Sequence, residues 1–241
     1  MNFVRHVVRL LIPSGVALLW APSLFAQLNA KASTANPSGE WAAYGHDALG
    51  TRFSPLAQIS KDNVAQLTVA WTYRTGEAGV ATRQTPKFEA TPLMVDGTLF
   101  LSTPFGQVMA LDPETGAARW TYDAHSDRQG DWGDFANRGV STWLDASAAS
   151  GSACRRRIFL STVDARIIAL DAKTGVPCRS FGKDGTIRLK DGLPNSPYYA
   201  EDYALTSPPA VIRGMTVARA AVARPHRPSA FSSGKFCILR A

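Results

Sequence analysis

The side chains able to do chemistry are few and scattered along the 241 residues. The densest set is the run Asp123–Asp134 (DAHSDRQGDWGD), which is rich in aspartate. Closely spaced carboxylates suit Ca²⁺, but the run lacks EF-hand spacing and reads as a solvated loop. The histidines, His6, His46, His125 and His226, show no metal-ligating spacing, and there is neither a phosphate-cradling glycine loop nor a dinucleotide fingerprint. The cysteines are Cys154, Cys178 and Cys237, with neither spacing nor neighbours that suit zinc. Cys154 and Cys178 flank two strand-like runs and a turn, so a hairpin brings them together. A disulfide is expected there, with two unpaired thiols as the alternative.

The elements that position these groups read as strands. With 15 Pro and 19 Gly, turn formers are frequent, and the Thr, Val, Ile and aromatic runs between them are short. This predicts an all-β chain with one domain and a substantial core. Leu67–Gly76 alternates with period two. Thr91–Thr103 holds two apolar runs around Asp96-Gly97, a strong hairpin signal. Ala110, Leu111, Asp112, Thr115 and Gly116 recur as Ala169, Leu170, Asp171, Thr174 and Gly175, 59 residues later. In each copy the Asp bonds its own loop backbone and the Gly supplies a positive φ. A sheet unit recurring at this period predicts a β-propeller or another repeat array, a β-sandwich with a coincidental match being the weaker alternative.

The net charge of +7 is unevenly placed. Residues 218–241 hold five bases and no acid, Arg5 and Arg9 add two more, and the remainder is neutral. A neutral body gives no reason to expect a nucleic-acid partner. Arg5 and Arg9 precede a mostly apolar run, Val7–Trp20, and then small residues, with cleavage expected after Ala26 or Ala32. Residues 1–32 therefore read as a secretory signal peptide and its cleavage region, and the mature chain as periplasmic or exported. The apolar run is shorter than the roughly 20 residues of a spanning helix, so no stable membrane span is expected after cleavage. Residues 33–40 read as a linker.

Several motifs in order carry a resemblance to a known family. They are Trp41–Glu77, Phe88–Trp120 with "FEATP" and "ALDPETGAARW", Asn137–Trp143 with "NRG", Cys154–Cys178, and Leu205–Ile212 with "LTSPP". Across 41–217 the chain resembles the N-terminal part of the pyrroloquinoline quinone (PQQ)-dependent dehydrogenases, the quinoproteins, and most closely their glucose dehydrogenase branch. The resemblance implies a partial β-propeller made of the N-terminal blades of an eight-bladed ring. It implies PQQ as cofactor with Ca²⁺ beside it, a sugar or alcohol as substrate, and a quinone or cytochrome c as electron acceptor. It implies a tryptophan-docking motif at Ala110, Asp112, Gly116 and Trp120. In the second copy Arg179 stands where Trp belongs, and Phe181 is the nearby substitute.

Read alone, Glu89 is a strand end, Arg138 a loop ion pair and Thr206 a β former. In the order of the family pattern, Glu89 lies beside the cofactor. Arg138 pairs with a carboxylate of this flat tricarboxylate quinone, and Thr206 bonds another carboxylate oxygen. One departure is informative. The alcohol-oxidising branches carry adjacent cysteines shortly before "NRG", where this chain has Trp132 and Gly133. That favours the sugar-oxidising branch and leaves Trp132 either as a cover for one quinone face or as a surface loop aromatic.

By the same resemblance the metal carboxylate, an Asn ligand and the catalytic Asp follow "LTSPPAVIRGMTV". After Val217 this sequence holds no acid. The expectation is an enzyme of this family without metal ligands or catalytic residue of its own, inactive alone, with 218–241 an unstructured or out-of-frame tail. The alternative function is a non-catalytic exported β-propeller that binds or scaffolds.

Overall fold

A computed structural model describes residues 39–47, 49–132, 134–192, 203–222 and 235–240, and structural statements below concern these residues. The expected signal peptide and most of the linker lie outside them. Apart from two short 3-10 turns the structure is strand and loop, so the chain is all-β. No helix among the described residues is long and apolar enough to cross a membrane.

Strand β1 (Lys87–Thr91) precedes a four-stranded antiparallel sheet of β2 (Leu93–Val95), β3 (Thr98–Ser102), β4 (Gln107–Leu111) and β5 (Ala118–Asp123), in sequence order. A second sheet repeats the plan with β6 (Ala136–Leu144), β7 (Arg156–Ser161), β8 (Arg166–Asp171) and β9 (Thr186–Arg188), and β1 adds to its β6 edge in parallel. A third is built from β10 (Tyr203–Ala204), β11 (Ala210–Ile212), β12 (Met215–Val222) and β13 (Lys235–Arg240). The first sheet is a meander of short connections, the plan of a propeller blade, and the second keeps the same strand order with longer loops.

The turns form where residue chemistry demands them. Asp96 and Gly97 both have positive φ (48° and 65°), and the β2–β3 register pairs Val95 with Thr98, a two-residue hairpin. After β4, Asp112 Oδ1 accepts from the Glu114 and Thr115 N–H groups and from the Thr115 hydroxyl, and Gly116 closes the turn at φ 71°. Asp171 repeats these bonds on Lys173 and Thr174, with Gly175 at φ 73°. The Asp112 carboxyl is held down at about 2 by hydrogen bonds from Arg119 and from the backbone and side chain of Thr115.

The second sheet is buried on both faces, so its central strands carry continuous apolar runs rather than alternation. Ile158, Leu160, Ile168 and Leu170 pack with Leu93, Phe100, Val108 and Ala110 of the first sheet. The interleaved Phe159, Ile167 and Ala169 pack with Tyr203, Leu205 and Ala218 of the third. Cys154 and Cys178 are disulfide-bonded, closing the β7–β8 hairpin beside this second cluster. Phe181 is fully buried there, edge-on to Phe159.

The blades are tied by indoles. Trp120 Nε1 donates to the Ala172 carbonyl at 3.0 Å, and its ring lies over Gly175, where a Cβ would come within 2.6 Å. Trp71 does the same one step earlier. Its Nε1 donates to the Pro113 carbonyl at 3.1 Å, and a Cβ on Gly116 would meet its ring at 2.5 Å. The motif's own Trp120 thus docks on the following copy, and its Gly116 receives Trp71.

At residues 218–222 and 235–240 the structure shows strand where the sequence reading expects an unstructured or out-of-frame tail. β12 runs on to Val222, and Lys235–Arg240 pairs with it antiparallel from Met215↔Arg240 to Ala220↔Lys235. The reason is local: the backbone of β12 beyond Val217 needs a ladder partner, and Phe236–Leu239 is a short apolar run of the kind that makes a strand.

Docking and turn strain separate in a pair of variants. Gly97→Ala meets no atom within 4 Å, so it costs only the left-handed backbone penalty, about 1 kcal/mol. Gly175→Ala adds a collision with the Trp120 ring, a further ~1–3 kcal/mol of overpacking. Urea unfolding of the two variants is expected to place Gly175→Ala clearly below Gly97→Ala.

Candidate functional site

The site is built around Asn137-Arg138-Gly139 at the start of β6. Asn137 is buried, and its amide staples three strands. Oδ1 accepts from Ser102 Oγ at 2.7 Å and from the Gly139 N–H at 3.0 Å, and Nδ2 donates to the Ser161 carbonyl at 2.8 Å. Gly139, at φ 127°, lets β1 approach, since a Cβ there would meet the Thr91 carbonyl oxygen at 3.1 Å. Strand side chains alternate, so Asn137 turned into the core sends Arg138 to the opposite face.

Arg138 gathers the other two residues expected from the sequence. β1 pairs in parallel with β6, Lys87 against Ala136 and Phe88 against Asn137, which sets Glu89 beside the guanidinium with Oε2 at 2.9 Å. Thr206, in the loop between β10 and β11, is held twice. Its carbonyl accepts from the Arg138 N–H at 2.9 Å, and its hydroxyl accepts from Nη1 at 2.6 Å. Residues far apart in sequence, Glu89, Arg138 and Thr206, are thus one contact cluster.

Sequence reasoning missed two members. Asp134 Oδ2 lies 2.7 Å from Arg138 Nη2, and its Oδ1 lies 3.1 Å from Lys87 Nζ. The cluster therefore balances two cations, Lys87 and Arg138, against two carboxylates, Glu89 and Asp134. Asp134 was visible as the last acid of the Asp123–Asp134 run, four residues before Arg138, but a pattern search for metal spacing does not isolate it. The other acids of that run face different partners. Asp123 meets His125 and Arg128, Asp127 accepts from the Gln129 N–H, and Asp131 meets Arg83 and Gln84. No group of three His, Cys, Asp or Glu among the described residues is placed to hold a metal.

Trp132 is not a surface aromatic. It is 3% exposed, packs with Phe105, Phe135 and Val163, and donates its Nε1 proton to the Asp127 carbonyl at 2.8 Å. The apolar body of the loop leading into β6 is therefore anchored, and Asp134 leaves it in a defined place.

The electrostatics follow from these contacts. Burial pushes the Asp134 carboxyl up, but hydrogen bonds from Arg138 and Lys87 outweigh that and hold it below the usual carboxylate range. The hydrogen bond to Asp134 raises Arg138 in return, against its own partial burial. A guanidinium fork held at the surface beside a hydroxyl is an anion receptor, suited to a planar carboxylate.

Comparison with known proteins gives this arrangement a context. Residues 41–235 match the family model described as PQQ: glucose/ethanol/alcohol dehydrogenase, beta-propeller domain. The glycerol dehydrogenase large subunit of Gluconobacter oxydans (strain 621H) is 35% identical over 199 residues, covering 81% of this chain and 26% of that protein. The quinoprotein glucose dehydrogenase of Escherichia coli (strain K12) is 35% identical over 226 residues, covering 85% of this chain and 27% of that protein. Among solved structures, the quinohemoprotein alcohol dehydrogenase from Comamonas testosteroni superposes with a TM-score of 0.58 at 30% identity, covering 82% of this chain and 25% of that one. The chain spans about a quarter of the length of the relatives it matches.

The Asp134 contact makes a pH prediction. A carboxyl depressed in the folded state stabilises above its unfolded value, near 3.9, and that contribution is lost as pH falls through the folded value. Asp134 is a third exposed, so solvent screening limits the effect to ~0.5–1 kcal/mol. Denaturant midpoints at pH 7 and pH 3 are expected to differ less in Asp134→Asn than in the unaltered chain.

Proposed function

The chain belongs to the PQQ-dependent glucose/ethanol/alcohol dehydrogenase β-propeller family, and on that premise we propose that it is part of an exported quinoprotein that oxidises a sugar or polyol hydroxyl. Electrons pass on to a quinone or a cytochrome. The observation that carries the reading is the convergence of Glu89, Arg138 and Thr206 on one surface point. Relatives that act on glycerol and glucose, by their names, support the substrate class.

The donor set fits the cofactor in part. PQQ is a flat tricarboxylate, and when bound it supplies the electron acceptor for alcohol oxidation. Arg138 would neutralise one carboxylate, with the Thr206 hydroxyl as a second donor, since its own proton is not used in accepting from Nη1. Glu89 and Asp134 already share Nη2, so an incoming carboxylate competes with them for the guanidinium. Lys87, tied to Asp134, moderates that repulsion. Cations for the other carboxylates, and ligands for the Ca²⁺ expected in this family, are not in this cluster and would come from elsewhere in the ring.

Titration of the purified chain with PQQ, followed by tryptophan quenching, tests the assignment. Saturable binding is expected. Arg138→Ala is expected to weaken it tenfold or more, the loss of a charge-assisted hydrogen-bonded pair worth about 1.5–3 kcal/mol. Thr206→Val is expected to have a smaller effect. Equal quenching by all three proteins would show that PQQ is not bound at this cluster.

A further inference from the structure

Lys87 is the member of the Arg138 cluster whose ion pair does not include Arg138. It opens β1, where its backbone N–H donates to the Phe135 carbonyl at 2.8 Å and its Cα pairs with Ala136. Asp134 comes just before these two residues, and its own carbonyl accepts from the Ala136 N–H at 2.9 Å. The main chain thus brings the Lys87 side chain within reach of the Asp134 carboxylate, Nζ to Oδ1 at 3.1 Å.

The two carboxylates on Arg138 are not equivalent. Both lie on the same nitrogen, Nη2, with Glu89 Oε2 at 2.9 Å and Asp134 Oδ2 at 2.7 Å. Among the described residues Glu89 has Arg138 as its ion-pair partner and no other, whereas Asp134 keeps a second cation on its other oxygen. Leaving Nη2 therefore strands Glu89 but not Asp134. The neighbouring acid is no substitute, because Asp131 is taken by Arg83 and Gln84. Burial pushes the Asp134 carboxyl up, but hydrogen bonds from Arg138 and Lys87 outweigh it, so the group is charged at neutral pH. The Asp134 side chain is 33% exposed and that of Lys87 59%, so neither is locked by packing.

We propose that Asp134 is a displaceable counter-anion of Arg138 and Lys87 its receiver, so that this pair sets how tightly Arg138 holds a carboxylate of the cofactor. The inference rests on the reading of Arg138 as the group that receives a PQQ carboxylate. Asp134 gives up Nη2 and retains Lys87, which neutralises it there, while Glu89 stays on the guanidinium. Lys87 is then a positioning residue, since it works through Asp134. Without Lys87, Asp134 has only Arg138 to pair with and competes at full strength. Two like charges held on one cation oppose a third, and a separate cation for one of them lowers that opposition.

Dissociation constants for PQQ, measured by tryptophan quenching of the full chain at pH 7 and fixed ionic strength, test this through a double-mutant cycle. Asp134→Asn removes the competing charge with little change of shape. It is expected to bind PQQ about threefold more tightly, the scale of one partly exposed ion pair. Lys87→Met is expected to bind about threefold more weakly, on the same scale. In the Asp134→Asn background the same Lys87→Met change is expected to have no effect. A lysine that merely added positive charge near the ligand would weaken binding equally in both backgrounds, and that result would overturn the proposal. So would an Asp134→Asn chain that binds PQQ no better than the unaltered one. Arg138→Ala separates the two claims. If it weakens binding while the cycle shows no coupling, the cofactor reading stands and the exchange between Asp134 and Lys87 is refuted. If it leaves binding unchanged, both fall. Asp134→Ser removes the same charge by a second route and is expected to bind like Asp134→Asn, so a folding defect peculiar to one variant does not decide the outcome.

Discussion

An indole lying flat on a glycine is the contact on which the rest of this structure depends. Trp120 reaches from the outer strand of the first sheet to the turn of the second, where Gly175 has no Cβ and the Ala172 carbonyl accepts the ring N–H. A buried indole needs both a flat apolar partner and an acceptor, and this turn supplies them together. The turn exists because Asp171 bonds three successive donors around it and Gly175 takes the left-handed conformation. The same construction one repeat earlier receives Trp71. Stacked sheets packed only by Leu, Ile and Val could slide. A directional hydrogen bond at the rim fixes how each blade sits on the next.

That fixed stacking is what makes a site at the other end of the strands. β1, just ahead of the first sheet in the chain, pairs with β6 of the second, bringing Glu89 to Arg138. The third sheet, packed on the far side of the second through Phe159, Ile167 and Tyr203, brings Thr206 to the same guanidinium. Arg138 is therefore a tie between three parts of the chain. Its charge and those of Lys87, Glu89 and Asp134 sum to zero, so the ion pairs balance within the cluster.

Much of this was legible in the sequence, for local reasons. Asp96-Gly97 specifies a two-residue hairpin, Asp112 to Gly116 specifies a turn, and the recurrence of that turn as Asp171 to Gly175 specifies a repeated sheet. Each depends on backbone chemistry within a few residues, so sequence alone determines it. The resemblance carried by Glu89, Arg138 and Thr206 was legible as an ordered set of motifs, though not as a contact. Only the tertiary structure decided that Asp134 and Lys87 complete that cluster, that Trp132 is core, that Asn137 is the staple which turns Arg138 outward, and that Lys235–Arg240 is a strand. It also decided which turn each indole docks on. These depend on pairing between strands tens of residues apart, and no local pattern encodes which distant partner a strand or a charged side chain will meet.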